Sequence, residues 1–371
     1  MRTLVISDLH LGVHSGGDVL RQTESRAALL RAAADADRLV LLGDLLELRH
    51  GPARDALSAA RLPLSELGAA LPAAAEVVIV PGNHDHDLLD GWSQRQGRDA
   101  APAPLMLSTD ISFGDDELLG VMAGWLGADR VRVSYPGVWL RDDVLAVHGQ
   151  YLDVHLAIPS LERLAAGVMT RIVALGPDGP TSIEDYEAIL VPIYAWIRAL
   201  ADRLPPARGG HLHSGSTRGW TALTGGRRGL RRRIAAIGYP VAIAALNRAG
   251  LGPLESGLSS ASLRRAGLRA LEESLARLGV AAPHVLFGHT HRAGPLPDDD
   301  PDVWRTAAGG RLINTGCWVQ DSSFTGREPR RSPYRPGFAV WLTETGPPQL
   351  VNLLDGWRGG AELIEPAPDP G

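Results

Sequence analysis

Five short apolar runs in this chain each stop at a polar side chain able to bind a metal. No other feature constrains the fold as much. The runs read TLVISDLH, RLVLLGD, AEVVIVPGNHD, DVLAVHG and HVLFGHTH, and they end on Asp8 and His10, Asp44, Asn83 and His84, His148, and His289 and His291. The first three alternate with helical stretches such as Val19 to Ala34, the pattern of an α/β domain with a largely parallel sheet. In such a sheet, ligand residues gather where strands end. A purely structural strand end needs no buried polar group, so five in succession point to a shared site of two carboxylates, one amide and five imidazoles. His289 and His291 stand two apart, and on an extended backbone both rings would face one pocket.

Further strands are expected at ELLGVMAG and VWL, whose closer, hairpin-like spacing with DVLAVHGQ suggests a mixed sheet, and late in the chain at RLINTG, GFAVWL and PQLVNLL. Between about Gln150 and Pro283 the character changes. Helical stretches are read near Leu161 to Leu175, Ile183 to Leu204, Gly229 to Arg248 and Ala261 to Leu278, and the GPDGP and PPARGG breakers follow the first two. The expected organisation is an α/β domain over residues 1–149 and 284–355, a helical insertion or cap over 150–283, and a disordered tail over 356–371.

At 371 residues the chain can bury a sizeable core, and its 44% hydrophobic and 21% charged content is that of an ordinary globular protein. A net charge of −5 names no partner and weakens a nucleic-acid reading. Cys317 is the only cysteine, so no intramolecular disulfide forms. With no signal-peptide pattern at the start and no apolar stretch long enough to span a bilayer, a cytoplasmic location is expected.

The succession Asp8-x-His10, Gly43-Asp44, Gly82-Asn83-His84-Asp85, His148-Gly149 and Gly288-His289-x-His291 resembles the calcineurin-like metallophosphoesterase superfamily, all five motifs being present in order. The resemblance covers about residues 1–150 and 283–354. It implies a four-layer αββα fold, two mixed β-sheets sandwiched between helices, with the helical insertion left unexplained. It implies two divalent cations, one on Asp8, His10, Asp44 and His291, the other on Asp44, Asn83, His148 and His289, with Asp44 bridging. Nitrogen and oxygen ligands together suit manganese, iron or zinc. The implied reaction is hydrolysis of a phosphoester or pyrophosphate bond by a hydroxide shared between the metals. His84 would stand beside the site as a non-ligand acting on the transition state or leaving oxygen, oriented by Glu47 where the family more often has aspartate.

The SDLHLG and GDLLE stretches also look like those of UDP-2,3-diacylglucosamine hydrolases, which cleave a lipid-linked pyrophosphate, although those enzymes typically have arginine at the place of His84. The expected substrate is therefore a small or lipid-linked phosphate compound. Five arginines between Arg227 and Arg233, followed by an apolar run, suggest peripheral contact with anionic membrane. Two other readings compete. A DNA nuclease of the same superfamily shares the DLHLG opening but commonly carries long heptad segments, which are missing here. A non-catalytic scaffold would have lost ligands, and all the candidate positions hold competent residue types. His211 and His213 repeat the His-x-His spacing in a glycine-rich loop with no strand to place them, and His14, His50, His86 and His155 take no assignment.

Overall fold

The structure is a computed structural model that describes residues 1–49, 51–98, 104–158, 160–176, 178–201, 243–244, 246–248, 254, 260–325 and 328–355. The Arg227 to Arg233 cluster, His50, His211, His213, most of the helix expected over Gly229 to Arg248, and the tail lie outside the described residues.

Strict alternation builds the layers. In β1 (Thr3–Ile6), β2 (Arg38–Leu42) and β3 (Glu76–Val80), Leu4, Ile6, Leu39, Leu41, Val77 and Ile79 join one core, while Val5, Val40, Leu42, Val78 and Val80 join another. Period-two alternation with both faces apolar means that each face of these parallel strands is covered. The first face packs on α1 (Thr23–Ala33), α2 (Ala53–Ala70) and α4 (Leu118–Leu126), α3 being the short Asp90–Gln96.

The second face meets another sheet. After β4 (Ser108–Asp110), the long β5 (Val131–Arg141) pairs parallel with β3 through Val131 to Val133, then antiparallel with β6 (Val144–Val147) from Gly137 onward. One strand thereby serves both halves. Beyond β6 come the parallel β7 (His284–Phe287) and β8 (Arg311–Asn314), while β9 (Phe338–Leu342) and β10 (Gln349–Asn352) extend the other edge antiparallel to β1. The strand order is β10-β9-β1-β2-β3-β5-β6-β7-β8, with β4 on β5. Val138, Leu140, Val144, Ala146, Leu286 and Ile313 share the inner core with Val5, Val40 and Val78, so the two halves face each other. Leu145, Val285, Phe287 and Leu312 point the other way, onto Leu268, Leu271 and Leu275 of α7 (Ser260–Arg277). Helix, sheet, sheet and helix make the expected four layers. Between β6 and α7 run α5 (Leu161–Ile172) and α6 (Ile183–Ala201), which share a core with Tyr151 and Val154.

One expected strand is a helix. ELLGVMAG forms α4, where Leu119, Met122, Ala123 and Leu126 are buried at spacings of three and four, the period of a helix and not of a strand. Gly68 of α2 permits the contact, because a Cβ there would stand 2.5 Å from the carbonyl oxygen of Trp125 and 2.8 Å from Cα of Leu126. The VWL stretch is the end of the much longer β5.

Candidate metal centre

Parallel pairing brings the ligand-bearing strand ends level. Beyond β1 and β2 the two chains stay tied, Asp8 N–H donating to Gly43 O at 3.0 Å and His10 N–H to Asp44 O at 2.8 Å. Gly288 N–H donates to His148 O at 3.0 Å, which ties the β7 loop to the end of β6. Five of the six non-glycine residues with positive φ among those described are Asp8, His10, Asp44, His289 and His291, with φ between +43° and +65°. Left-handed backbone is unfavourable for side chains with a Cβ, so a row of such residues at one place marks a site that over-determines its own geometry. It also corrects the extended reading of His289 and His291. Both lie in a left-handed bend past β7, and their rings go to the two adjacent clusters that share Asp44.

The first cluster gathers Asp8, His10 and His291. His291 Nε2 lies 3.3 Å from Asp8 Oδ1 and 3.0 Å from His10 Nε2. His10 Nδ1 faces Glu47 Oε2 at 3.1 Å, so its hydrogen belongs there and the Nε2 lone pair turns into the cluster. The second gathers Asp44, Asn83, His148 and His289. His148 donates Nδ1–H to the Leu42 carbonyl at 3.0 Å, and its Nε2 lone pair then faces Asp44 Oδ2 and Asn83 Oδ1, each at 3.2 Å. His289 donates Nε2–H to Asp153 Oδ1 at 3.0 Å and turns Nδ1 to Asn83 Oδ1 at 2.9 Å.

These contacts set acceptor against acceptor. Buried lone pairs at such distances repel unless something positive lies between them, and the mixed imidazole, carboxylate and amide donors suit a divalent cation. The electrostatics agree. Burial opposes protonation of His10, yet the Glu47 hydrogen bond and the charges of Asp44, Glu47 and Asp8 raise it to about 9. Burial likewise opposes His148, which Asp44 and Asp8 lift to about 10. Burial alone would raise the carboxyl of Asp44, but the imidazoles of His148, His84 and His10 hold it well below the ordinary range. The site pulls in positive charge, and protons gather where cations fit. Asp44 reaches both clusters through one oxygen, Oδ2 lying 3.5 Å from His10 Nε2 and 3.2 Å from His148 Nε2. Its Oδ1 accepts His84 N–H at 2.8 Å, which aims the carboxylate.

His84 stands beside the clusters with Nδ1 at 2.9 Å from Glu47 Oε2 and 3.0 Å from Oε1. Glu47 therefore serves two imidazoles, His10 and His84. Burial lowers His84 to about 4; the carboxylates of Glu47 and Asp44 oppose this, while His10 and Arg49 add to it.

Two acids escaped the sequence reading. Asp153 orients His289 from a 3₁₀ turn over Gln150–Val154, just past His148. Asp85, wholly buried, accepts N–H from Leu45 at 2.6 Å, Leu46 at 3.3 Å and Gly82 at 2.7 Å, binding the two loops that carry Asp44 and Asn83. Asp85 follows His84 in the motif, which was a usable signal; Asp153 gave none. Of the unassigned histidines, His86 packs against Tyr135 and Tyr194 with Glu187 at 3.4 Å, and His155 Nε2 meets Tyr186 OH at 2.7 Å. α6 is held against the site's flank, where the Tyr135 and Tyr151 hydroxyls donate to Glu187, and Arg198 reaches the Leu48 carbonyl at 3.0 Å and the Asp87 carboxylate. Cys317 is a buried thiol that burial pushes up to about 12. No helix of the described residues is long and apolar enough to cross a membrane.

Solved structures similar to the chain include a cold-active protein-tyrosine phosphatase of a psychrophilic Shewanella species, 16% identical, with 92% of this chain and 75% of that chain covered at a TM-score of 0.28. An isoleucine-to-methionine mutant of a cold-active protein tyrosine phosphatase is 15% identical over 95% of this chain and 78% of its own, also at 0.28. Likeness this loose carries no argument. No curated protein matches the chain. Residues 1–173 match the family model described as calcineurin-like phosphoesterase, a span that takes in β1 to β6 and the motifs ending at Asp8, Asp44, Asn83 and His148. The matched span carries four of the five motifs, and the fifth, at His289 and His291, lies beyond it.

Proposed function

We propose that the chain hydrolyses a phosphoester or phosphoanhydride of a small or lipid-linked compound at a centre of two divalent cations, with Asp44 shared between them. The observation that carries the reading is Asp44 Oδ2, one buried oxygen within 3.5 Å of an inward-facing imidazole nitrogen on either side. Asp8, His10 and His291 complete one ligand set with it, and Asn83, His148 and His289 the other. Bound there, the cations would supply positive charge to the phosphoryl oxygens and lower the pKa of water in the site.

The chain's own residues do the rest. Glu47 fixes the ring of His84 by holding Nδ1–H, which leaves Nε2 as the atom to meet a reacting oxygen. With a pKa near 4, the ring is neutral at pH 7, and nearby cations would push it lower still. His84 therefore acts as a hydrogen-bond acceptor that can take a proton as charge develops, with Glu47 stabilising the imidazolium. Asp153, by holding Nε2–H of His289, keeps Nδ1 available as the ligand atom.

The test is a substrate screen of the manganese-loaded protein on phosphomonoesters, phosphodiesters and nucleoside pyrophosphates, with a chelator control and with Asp44→Ala alongside. Metal content and turnover should fall together in the variant. An active, metal-free Asp44→Ala protein would refute the reading, and manganese-dependent cutting of a labelled DNA strand in preference to small substrates would favour a nuclease.

A further inference from the structure

One arginine beside the centre has less bonding than its burial calls for. Arg49 is 6% exposed, next to the site on the same loop as Glu47, and its backbone N–H donates to Glu47 Oε1 at 3.1 Å. Its guanidinium lies 5.7 Å from the Tyr194 ring centroid and 3.6 Å from Glu162 Oε1. Among the described residues its side chain makes no hydrogen bond: Nε is buried with no partner, and so is the hydroxyl of Tyr194. A guanidinium carries five donors, and burying one without hydrogen bonds is expensive. The contrast with Arg198 is plain, since that residue binds a carbonyl and a carboxylate where it ties α6 down. Arg49 is therefore poorly built as a strut. It is well built to receive an oxyanion, being a fork of donors with a tyrosine hydroxyl beside it.

Its position says which part of a substrate it would meet. Arg49 shares a loop with Glu47, the partner of His84, its backbone N–H donates to Glu47, and its charge reaches the His84 ring, so it flanks the His84 part of the site. We infer that Arg49 is a specificity residue holding the oxyanion of a second phosphoryl group beyond the reacting phosphorus, so that the preferred substrate is a phosphoanhydride. The inference rests on the phosphoesterase reading above and narrows its substrate class. In the reaction the oxygen of water bonds to phosphorus, and the bridging oxygen leaves on the second phosphoryl group with the bonding electron pair. The protons of water pass to the products, and no redox change occurs. The incoming oxyanion replaces Glu162 as the partner of Arg49, so Glu162 competes with substrate.

The test compares diadenosine diphosphate, a phosphoanhydride, with bis(p-nitrophenyl) phosphate, which lacks a second phosphoryl group, on the manganese-loaded full chain. Losing a charge-assisted hydrogen bond is worth roughly 10- to 100-fold. Arg49→Met should lower kcat/KM for the anhydride relative to the diester by about that factor, chiefly through KM, with Arg49→Lys in between. Glu162→Gln, which removes the competitor, should lower KM for the anhydride. An unchanged substrate ratio in Arg49→Met, or a Glu162→Gln variant that weakens the anhydride as Arg49→Met does, would make Arg49 a strut and overturn the inference. Wild type that cleaves the diester but not the anhydride overturns it and leaves the phosphoesterase reading standing. Wild type that cleaves neither overturns both. Should Arg49→Met fail to fold, the Glu162→Gln result still decides.

Discussion

Replacing Gly43 with alanine should cripple one half of the centre and spare the other. Gly43 has φ +80°, and a Cβ there would stand 2.1 Å from Nδ1 and 2.3 Å from Cγ of the His148 ring. The left-handed backbone costs an alanine about 1–2 kcal/mol. Forcing the wholly buried ring aside adds about 1–3 kcal/mol of overpacking. Breaking the bond from Nδ1–H to the Leu42 carbonyl adds about 1 kcal/mol. The sum is roughly 3–6 kcal/mol, below most of the usual range of about 5–15 kcal/mol for a folded protein, so the variant should fold but be visibly weakened. Because His148 belongs to the Asp44, Asn83 and His289 cluster, manganese bound after dialysis should drop towards half that of wild type, while the Asp8, His10 and His291 cluster keeps its ion. Urea unfolding by two probes gives the stability and elemental analysis gives the metal. A Gly43→Ala protein within 1 kcal/mol of wild type and with full metal content would show that His148 is not held as described.

Three further outcomes are expected. His84→Ala should keep its metal and lose about 10²- to 10⁴-fold in kcat, as checked by steady-state kinetics and metal analysis on one preparation. Asp153→Asn should weaken manganese binding about 10- to 100-fold in calorimetry, because His289 Nε2–H loses its charged acceptor; unchanged affinity would remove Asp153 from the site. Burial, helped by Arg277 and Arg163, lowers His155 to about 4 from an ordinary 6.5, so the unfolded chain binds a proton that the folded one refuses between those values. That part of the stability is present above pH 6.5 and is lost as pH falls towards 4, on the order of 1–2 kcal/mol between pH 7 and 5. His155→Gln should flatten the urea midpoint over that window.

What the sequence discloses here follows the range of the interactions concerned. Asp8, Asp44, Asn83, His148 and His289 were legible because each ends a strand, and parallel strands carry their ends to one place. The double duty of Glu47 was half legible, since the family resemblance tied it to His84 but not to His10, which comes from another loop. Asp153 was invisible because its role depends on a 3₁₀ turn meeting His289 across 136 positions. α4 was misread because its apolar run is nearly unbroken, and only the spacing of Leu119, Met122 and Leu126 betrays a helix. Arg49 carries no signal in the sequence; its burial and its unpartnered Nε single it out.

The left-handed backbone at Asp8, His10, Asp44, His289 and His291 also limits how the centre can change. Among residues with a Cβ, aspartate, asparagine and histidine tolerate that conformation best, and β-branched or bulky side chains tolerate it worst. These five positions therefore draw on a small alphabet that offers hard oxygen or imidazole nitrogen and little room for thiolate. Asn83 and His148 stand outside that constraint. Anyone wishing to retune which metal the centre prefers has those two positions to work with, and both serve the same half of the site.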